Sequence, residues 1–288
     1  MQTTIRMCDA RLAEHVDVYG YWPVPMENIS TFAPGLIAFN LSGARIEVDG
    51  ERRDDPVLFG VANDPNFVRY SISGGSIVSL RVNGGAYDRL FHINPSVEQG
   101  IIALDRRKHP TIARVYDRLK DADPNPESWF AALDSALLDL LPEAKPSGLT
   151  GEMVALVRNS EDEFSVAELA ERLGCTTRTL ERACKRRYGR TPKRLLRAYR
   201  LYRTRMIEDT TDERIELQPE FAYADLPHYL NELRRIHGLN RGQLGDDRLL
   251  GNDFPYRYLW PDGREVTSEA DMDAWHSEMQ RRLENQRG

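Results

Sequence analysis

The chain has 288 residues, 41% hydrophobic and 29% charged, a globular composition long enough for two cored domains, with a net charge of −6. It holds no low-complexity tract and no apolar run near the roughly 18 residues that a membrane span needs. Cys8, Cys175 and Cys184 are too few and too scattered for a disulfide framework, and no CxxC pair suggests zinc. The opening MQTTIRMCDARLAEH has no apolar signal core, so a cytoplasmic protein without a membrane segment is expected.

In chain order, residues from about 20 to 95 read as β. GLIAFNLSG, ARIEVDGE, PVLFGVAN, FVRYSISGG and SIVSLRVNGG are short apolar or alternating runs broken by Gly, Asn, Asp and Pro at about ten-residue spacing. Such spacing favours a small sandwich or barrel, with hairpin reversals at Asp49-Gly50 and Gly74-Gly75. The period then changes. AYDRLFHI is a short helix, PTIARVYDRLKDA a second with Pro110 in its first turn, and PESWFAALDSALLDLLP a third. That third helix carries Phe130, Leu133, Leu137, Leu140 and Leu141 on one stripe, and Pro142 ends it. EAKPSG, from Glu143 to Gly148, is a boundary, and helices follow to about Gly245. The tail holds a hairpin around Pro261-Asp262-Gly263 and a helix over about 268–285, capped by Ser268, with Met272, Trp275, Met279 and Leu283 on one face. The expected class is α+β: a β-rich sandwich or barrel domain over 1–95, a helical connector over 96–147, an all-α domain over 148–245 and an extension over 246–288.

Charge is distributed unevenly. From Ser165 to Arg205 there are 13 Lys/Arg against three Asp/Glu, a local charge of +10, whereas Met206 to Gly245 sums to −4. The first segment is an anion-binding surface by charge, and its neighbour is not. Within it, Ser165 and Glu168 form a capping-box pair at the start of one helix, whose inner face is Val166, Leu169, Ala170 and Leu173. Gly174 suits the positive-φ exit from that helix. Thr176 caps a second helix with Leu180, Ala183, Cys184 and Tyr188 inward. Helix, short glycine turn and helix is the helix-turn-helix pattern. The outward side of the second helix carries Thr177, Arg178, Glu181, Arg182 and Lys185. Arginine there can pair with guanine O6/N7 in the major groove, and the flanking hydroxyl and cations suit phosphates. A solvated charged face is the bland alternative. Glu181 either meets a cytosine amino group or pairs with Lys185.

On these residues the run from Ser165 to Arg241 resembles the AraC/XylS-type DNA-binding domain. The matching stretches are LAERLG-CTTRTLER, YGRTP before the next helix, LLRAYRLYRTRMIEDT as a connecting helix, and the weaker FAYADLPHYLNELRRIHGLNRGQL as a second unit. The resemblance implies double-stranded DNA as partner. Arg178, Glu181 and Arg182 then face bases, and Thr177, Lys185, Arg186, Lys193 and Arg194 face phosphates. In the second unit Asn231, Arg234 and Arg235 are weaker contacts. That unit departs from the family: Pro219 lies in its first helix, Ala222 replaces the turn glycine, and Leu226 and Leu230 stand where polar groups meet DNA. Either those leucines read thymine methyls or other protein covers them, with the tail helix bearing Trp275 and Met279 as the cover.

The β-rich half resembles the cupin-like amino-terminal half of some AraC-type regulators, through FNLSGARIEVDG, SIVSLRVNGGAYDRLF and ESWFAALDSALLDLL. The resemblance implies a small-molecule effector, a homodimer, or both. An effector pocket inside the sandwich would be lined by Phe39, Ile46, Phe59, Tyr70 and Val78, with Val68 beside them. No catalytic residue, metal or cofactor is expected. His15, His92 and His109 lack ligand spacing, and there is neither a G-x-S-x-G elbow nor a phosphate loop. The resulting expectation is a sequence-specific transcription regulator rather than an enzyme. The alternative is an interaction protein descended from one, with a partner-recruiting tail.

Overall fold

The structure is a computed structural model, and it describes residues 3–23, 26–31, 35–48, 50–61, 68–82, 85–146, 148–158, 164–197 and 257–284. It is α+β. The first half holds strands β1 Thr4–Met7, β2 Val16–Pro23, β3 Met26–Thr31, β4 Leu36–Phe39, β5 Arg45–Val48, β6 Glu51–Arg52, β7 Val57–Val61, β8 Val68–Ser73 and β9 Ser76–Val82. Helix α1 Ala86–Arg89, β10 Gly100–Ala103, and helices α2 Pro110–Lys120 and α3 Pro126–Leu138 follow. After them come α4 Gly148–Arg158, α5 Val166–Arg172, α6 Thr177–Tyr188, β11 Arg257–Leu259 and α7 Glu269–Glu284.

The strands form a seven-stranded sheet, in the order β10-β7-β4-β9-β2-β1-β11, and a four-stranded sheet, in the order β3-β8-β5-β6. Every pairing is antiparallel except β1 with β11, which is parallel. Successive strands often change sheet. The Gly74-Gly75 turn, expected to close a hairpin, instead carries the chain from β8 in the small sheet to β9 in the large one. The reversal around Gly50 does join paired strands, β5 and β6.

Both faces of the large sheet are covered, and strand alternation sorts its residues between them. Tyr19, Tyr21, Ile37, Phe39, Val57, Phe59, Val78, Leu80 and Val82 share one core with Ile112, Val115 and Leu119 of α2 and Phe130, Leu133 and Leu137 of α3. Ala38, Leu58, Ile77 and Ile101 point the other way and meet Ile46, Val48 and Ile72 of the small sheet, with Ala44 just before β5. The residues expected to line one sandwich pocket are therefore divided. Phe39, Phe59 and Val78 lie under the helices, Ile46 lies between the sheets, and the side chain of Tyr70 falls outside the described residues, as does that of Val68. The segment read as a connector over 96–147 contributes β10 to the sheet and α2 and α3 to its core, because its apolar stripes match the sheet's uncovered aromatic face.

One buried ion pair fixes the helical layer to the sheet. Arg6 on β1 lies beside the stacked rings of Tyr19 and Phe130, 5.4 and 5.5 Å from their centroids, and pairs with Asp134 of α3. Asp134 also accepts the Tyr19 hydroxyl at 2.7 Å and the Asp9 N–H at 3.0 Å. Burial raises the Tyr19 pKa and keeps the phenol protonated beside that carboxylate. The tail returns to the same body. Leu259 of β11 is 1% exposed in the large core, and Trp275 of α7 donates its indole N–H to the Leu259 carbonyl at 3.1 Å. The expected hairpin around Pro261-Asp262-Gly263 is present, with Trp260 N–H donating to the Arg264 carbonyl at 2.9 Å, and Ser268 caps α7 through the Asp271 N–H.

Asp134→Ala leaves the Arg6 guanidinium buried without its carboxylate, and urea unfolding should show a loss of about 3–5 kcal/mol. His15 gives a second test. It is 3% exposed, and burial, then the nearby Arg89 charge, lowers its pKa to about 4. The folded state thus favours neutral imidazole, and its contribution is full above the unfolded pKa near 6.5 and is lost as pH falls towards 4. Over that window His15→Leu should have a shallower fall of unfolding free energy than the parent, by up to about 1.4 kcal/mol per pH unit.

Candidate nucleic-acid interface

Helices α4, α5 and α6 form a core of their own. Met153, Val154 and Val157 of α4 meet Leu169 and Ala170 of α5 and Leu180, Cys184 and Tyr188 of α6, with Phe164 and Leu195 closing the ends. Each local signal in the sequence is realised. Ser165 Oγ accepts the Glu168 N–H at 3.2 Å while Glu168 Oε2 accepts the Ser165 N–H at 2.7 Å. Those bonds favour the ionised Glu168 and lower its pKa. Gly174 leaves α5 at φ 61°, with Gly174 N–H on the Glu171 carbonyl and Cys175 N–H on the Ala170 carbonyl, a Schellman exit. Thr176 Oγ1 then accepts the Thr179 N–H at 3.1 Å and opens α6. Gly189, at φ 66°, closes α6 through the Lys185 carbonyl.

This arrangement divides α6 into two stripes. Arg178, Glu181, Arg182 and Lys185, spaced i, i+3, i+4 and i+7, share one side and are all exposed. Thr177, Arg186, Lys193 and Arg194 are exposed around them. Among the described residues no ion pair engages Arg178, Arg182 or Lys193, and none joins Glu181 to Lys185. Burial lowers the pKa of Arg190. On the other stripe, Leu180 and Cys184 are buried, and burial pushes the Cys184 thiol up to about 12, so it stays protonated against Met153.

Arg187 is the residue that the charge count does not single out. It continues the inward stripe and pairs with Asp88 of α1 at 3.2 Å, so it belongs to the packing of α6 and not to its exposed face. Asn231, Arg234, Arg235, Leu226 and Leu230 lie outside the described residues. Trp275, considered above as a cover for those leucines, packs at 5.0 Å on Tyr258 and bonds to Leu259. His109 is structural: its Nδ1 accepts the Asp105 N–H at 3.1 Å, and its Nε2 lies 2.7 Å from Glu98. Among the described residues no cluster of His, Cys, Asp or Glu could hold a metal ion, and no helix is long and apolar enough to cross a membrane.

Comparison with known proteins agrees with the geometry of this segment. Residues 169–244 match a helix-turn-helix domain family, and the chain carries an AraC-type helix-turn-helix domain there. No curated protein matches the sequence. Among solved structures, ToxT from Vibrio cholerae aligns with a TM-score of 0.43 and 8% identity, over 78% of this chain and 96% of that one. The same protein with a bound unsaturated fatty acid aligns at 0.41 and 11% identity, over 77% and 92%. ToxT bound to (E)-4-(8-methylnaphthalen-1-yl)but-3-enoic acid aligns at 0.41 and 8%, over 84% and 97%.

Thr176→Ala removes the only side-chain acceptor at the start of α6 among the described residues, and thermal unfolding of this domain should show a loss of about 1 kcal/mol.

Proposed function

We propose that the protein is a sequence-specific DNA-binding transcription regulator of AraC type. Its N-terminal half adjusts that binding through a small-molecule effector, homodimerisation, or both. The observation that carries the reading is the exposed cationic stripe of α6 on a capped helix-turn-helix. An arginine pair one turn apart, held on a rigid helix and not engaged by described carboxylates, suits the major groove. In this reading Arg178 and Arg182 contact base edges, with Glu181 available to a cytosine amino group. Thr177, Lys185, Arg186, Lys193 and Arg194 hold phosphates, and Asn231, Arg234 and Arg235 add weaker contacts from the second unit. A domain over 148–245 would then bind DNA, with 246–288 as an extension, of which 257–284 packs on the N-terminal sheet.

Titration against genomic fragments at several salt concentrations tests this. A regulator binds some sites about 10³-fold or more tighter than its salt-steep background, whereas a protein that only recruits partners shows the background alone. The roles of individual residues separate as well. Arg182→Ala should relax base preference at one position, at about 1–3 kcal/mol of discrimination, with little change in non-specific affinity. Lys193→Ala should weaken all sequences alike and reduce the salt slope by about one unit. Equal behaviour of the two variants contradicts the assignment.

A further inference from the structure

The back of α6 is fastened to the N-terminal half through one carboxylate. Leu180, Cys184 and Arg187 stand at i, i+4 and i+7, so Arg187 prolongs the inward stripe beyond the end of the helical core. Its side chain is 15% exposed; its Nε donates to Asp88 Oδ2 at 3.2 Å and its Nη1 donates to the Pro146 carbonyl at 2.8 Å. Asp88, 9% exposed, receives Lys145 Nζ on its other oxygen at 2.6 Å. Lys145 is tied to α1 through its backbone too. Its N–H donates to the Arg89 carbonyl, and its own carbonyl accepts Arg89 Nε, both at 2.9 Å. Beside this knot Tyr188 approaches Gly85 so closely that a Cβ there would lie 3.2 Å from the phenol oxygen.

We infer that Asp88 is a positioning residue for the recognition helix: shared between Lys145 and Arg187, its carboxylate makes α1, the 144–146 segment and α6 one mechanical unit. A carboxylate this buried is stable only with its cations in place, and removing one member strands the rest. The stripe of Arg178, Glu181, Arg182 and Lys185 lies on the opposite side of α6 from Arg187, so the clamp and a duplex do not compete for the helix. The clamp holds the N-terminal half and the groove-facing side chains in one orientation and leaves that side free. The inference goes beyond the DNA-binding reading and rests on it only for the second measurement below.

The test uses the full chain with Asp88→Asn, Arg187→Gln, Arg187→Lys and the Asp88→Asn/Arg187→Gln double variant, each checked by circular dichroism. Brief proteinase K digestion, followed by fragment masses, reads opening of the 143–149 segment. Affinity is measured for a duplex enriched from a random pool by the unmodified protein. Each neutralising single variant should speed cleavage about tenfold or more, Arg187→Lys should fall between parent and Arg187→Gln, and the double should not multiply the two effects. The dissociation constant should stay within about twofold of the parent. Unchanged cleavage, or multiplied effects in the double, overturns the clamp. An affinity that moves in step with cleavage, in either direction, overturns its independence from the groove face, because linkage is reciprocal. Failure to enrich any duplex sinks the DNA-binding reading, and the clamp is then decided by cleavage alone. Should Asp88→Asn fail to fold, Arg187→Gln in the last turn of α6 carries the same comparison.

Discussion

A sheet with two apolar faces must be covered twice, and that constraint organises the whole molecule. The large sheet presents Tyr19, Tyr21, Phe39, Phe59 and Leu80 on one side and Ala38, Leu58 and Ile77 on the other. The small sheet covers the second face, and α2 and α3 cover the first. Arg6 and Asp134 fix where the helical layer sits, because a buried guanidinium needs its carboxylate within reach. Once α3 is set, so is the point where the chain leaves it. The 144–146 segment is then laid against α1, next to the end of α6. The position of α6 follows from the packing of a sheet on the far side of the chain's boundary.

The charge of the protein acts at two scales. A net charge of −6 keeps the body as a whole from attracting polyanions, while the +10 of residues 165–205 concentrates attraction on one domain. Within that domain the helix divides its cations again. Exposed arginines remain in water, where a phosphate can replace solvent at small cost. Arg187 has given up most of its hydration and is balanced by Asp88. Two side chains of identical chemistry, five residues apart on α6, Arg182 and Arg187, therefore have unlike energetics and unlike duties.

Much of the local architecture was legible in the residues. The capping box of Ser165 and Glu168, the exit at Gly174, and the Thr176 cap each depend on neighbours within a few positions, so a short window contains all the physics. The exposure of Arg178, Glu181, Arg182 and Lys185 follows from the same 3.6-residue period. What the sequence could not convey was pairing at a distance. Alternation shows that Phe39 and Ile46 each face a core, yet it does not say that these are different cores. The Gly74-Gly75 turn looks like a hairpin because the residues of the turn do not record which sheet each flanking strand joins. The brief GIIA of β10 and RYL of β11 carry too little pattern to announce strands that only the rest of the sheet calls for. Arg187 was hidden among its neighbours because its ion-pair partner, Asp88, stands 99 positions earlier.

The same distance effect gives the fold its most consequential feature. The chain departs from the N-terminal body at Lys145, builds the helix-turn-helix, and comes back as β11, which pairs in parallel with β1 at the edge of the large sheet. Leu259 then joins the main core, and Trp275 locks the returning hairpin by bonding to its carbonyl. The chain is consequently held to the N-terminal body at two points, Lys145 on α1 and β11 on the edge of the large sheet. A domain joined by a single linker can sample many orientations, whereas two anchors remove most of that freedom, and the loss grows only slowly with the length of chain enclosed. Clamping α6 through Asp88 therefore acts on a segment whose freedom has already been reduced. That is why a few contacts at the end of one helix are enough to set its direction.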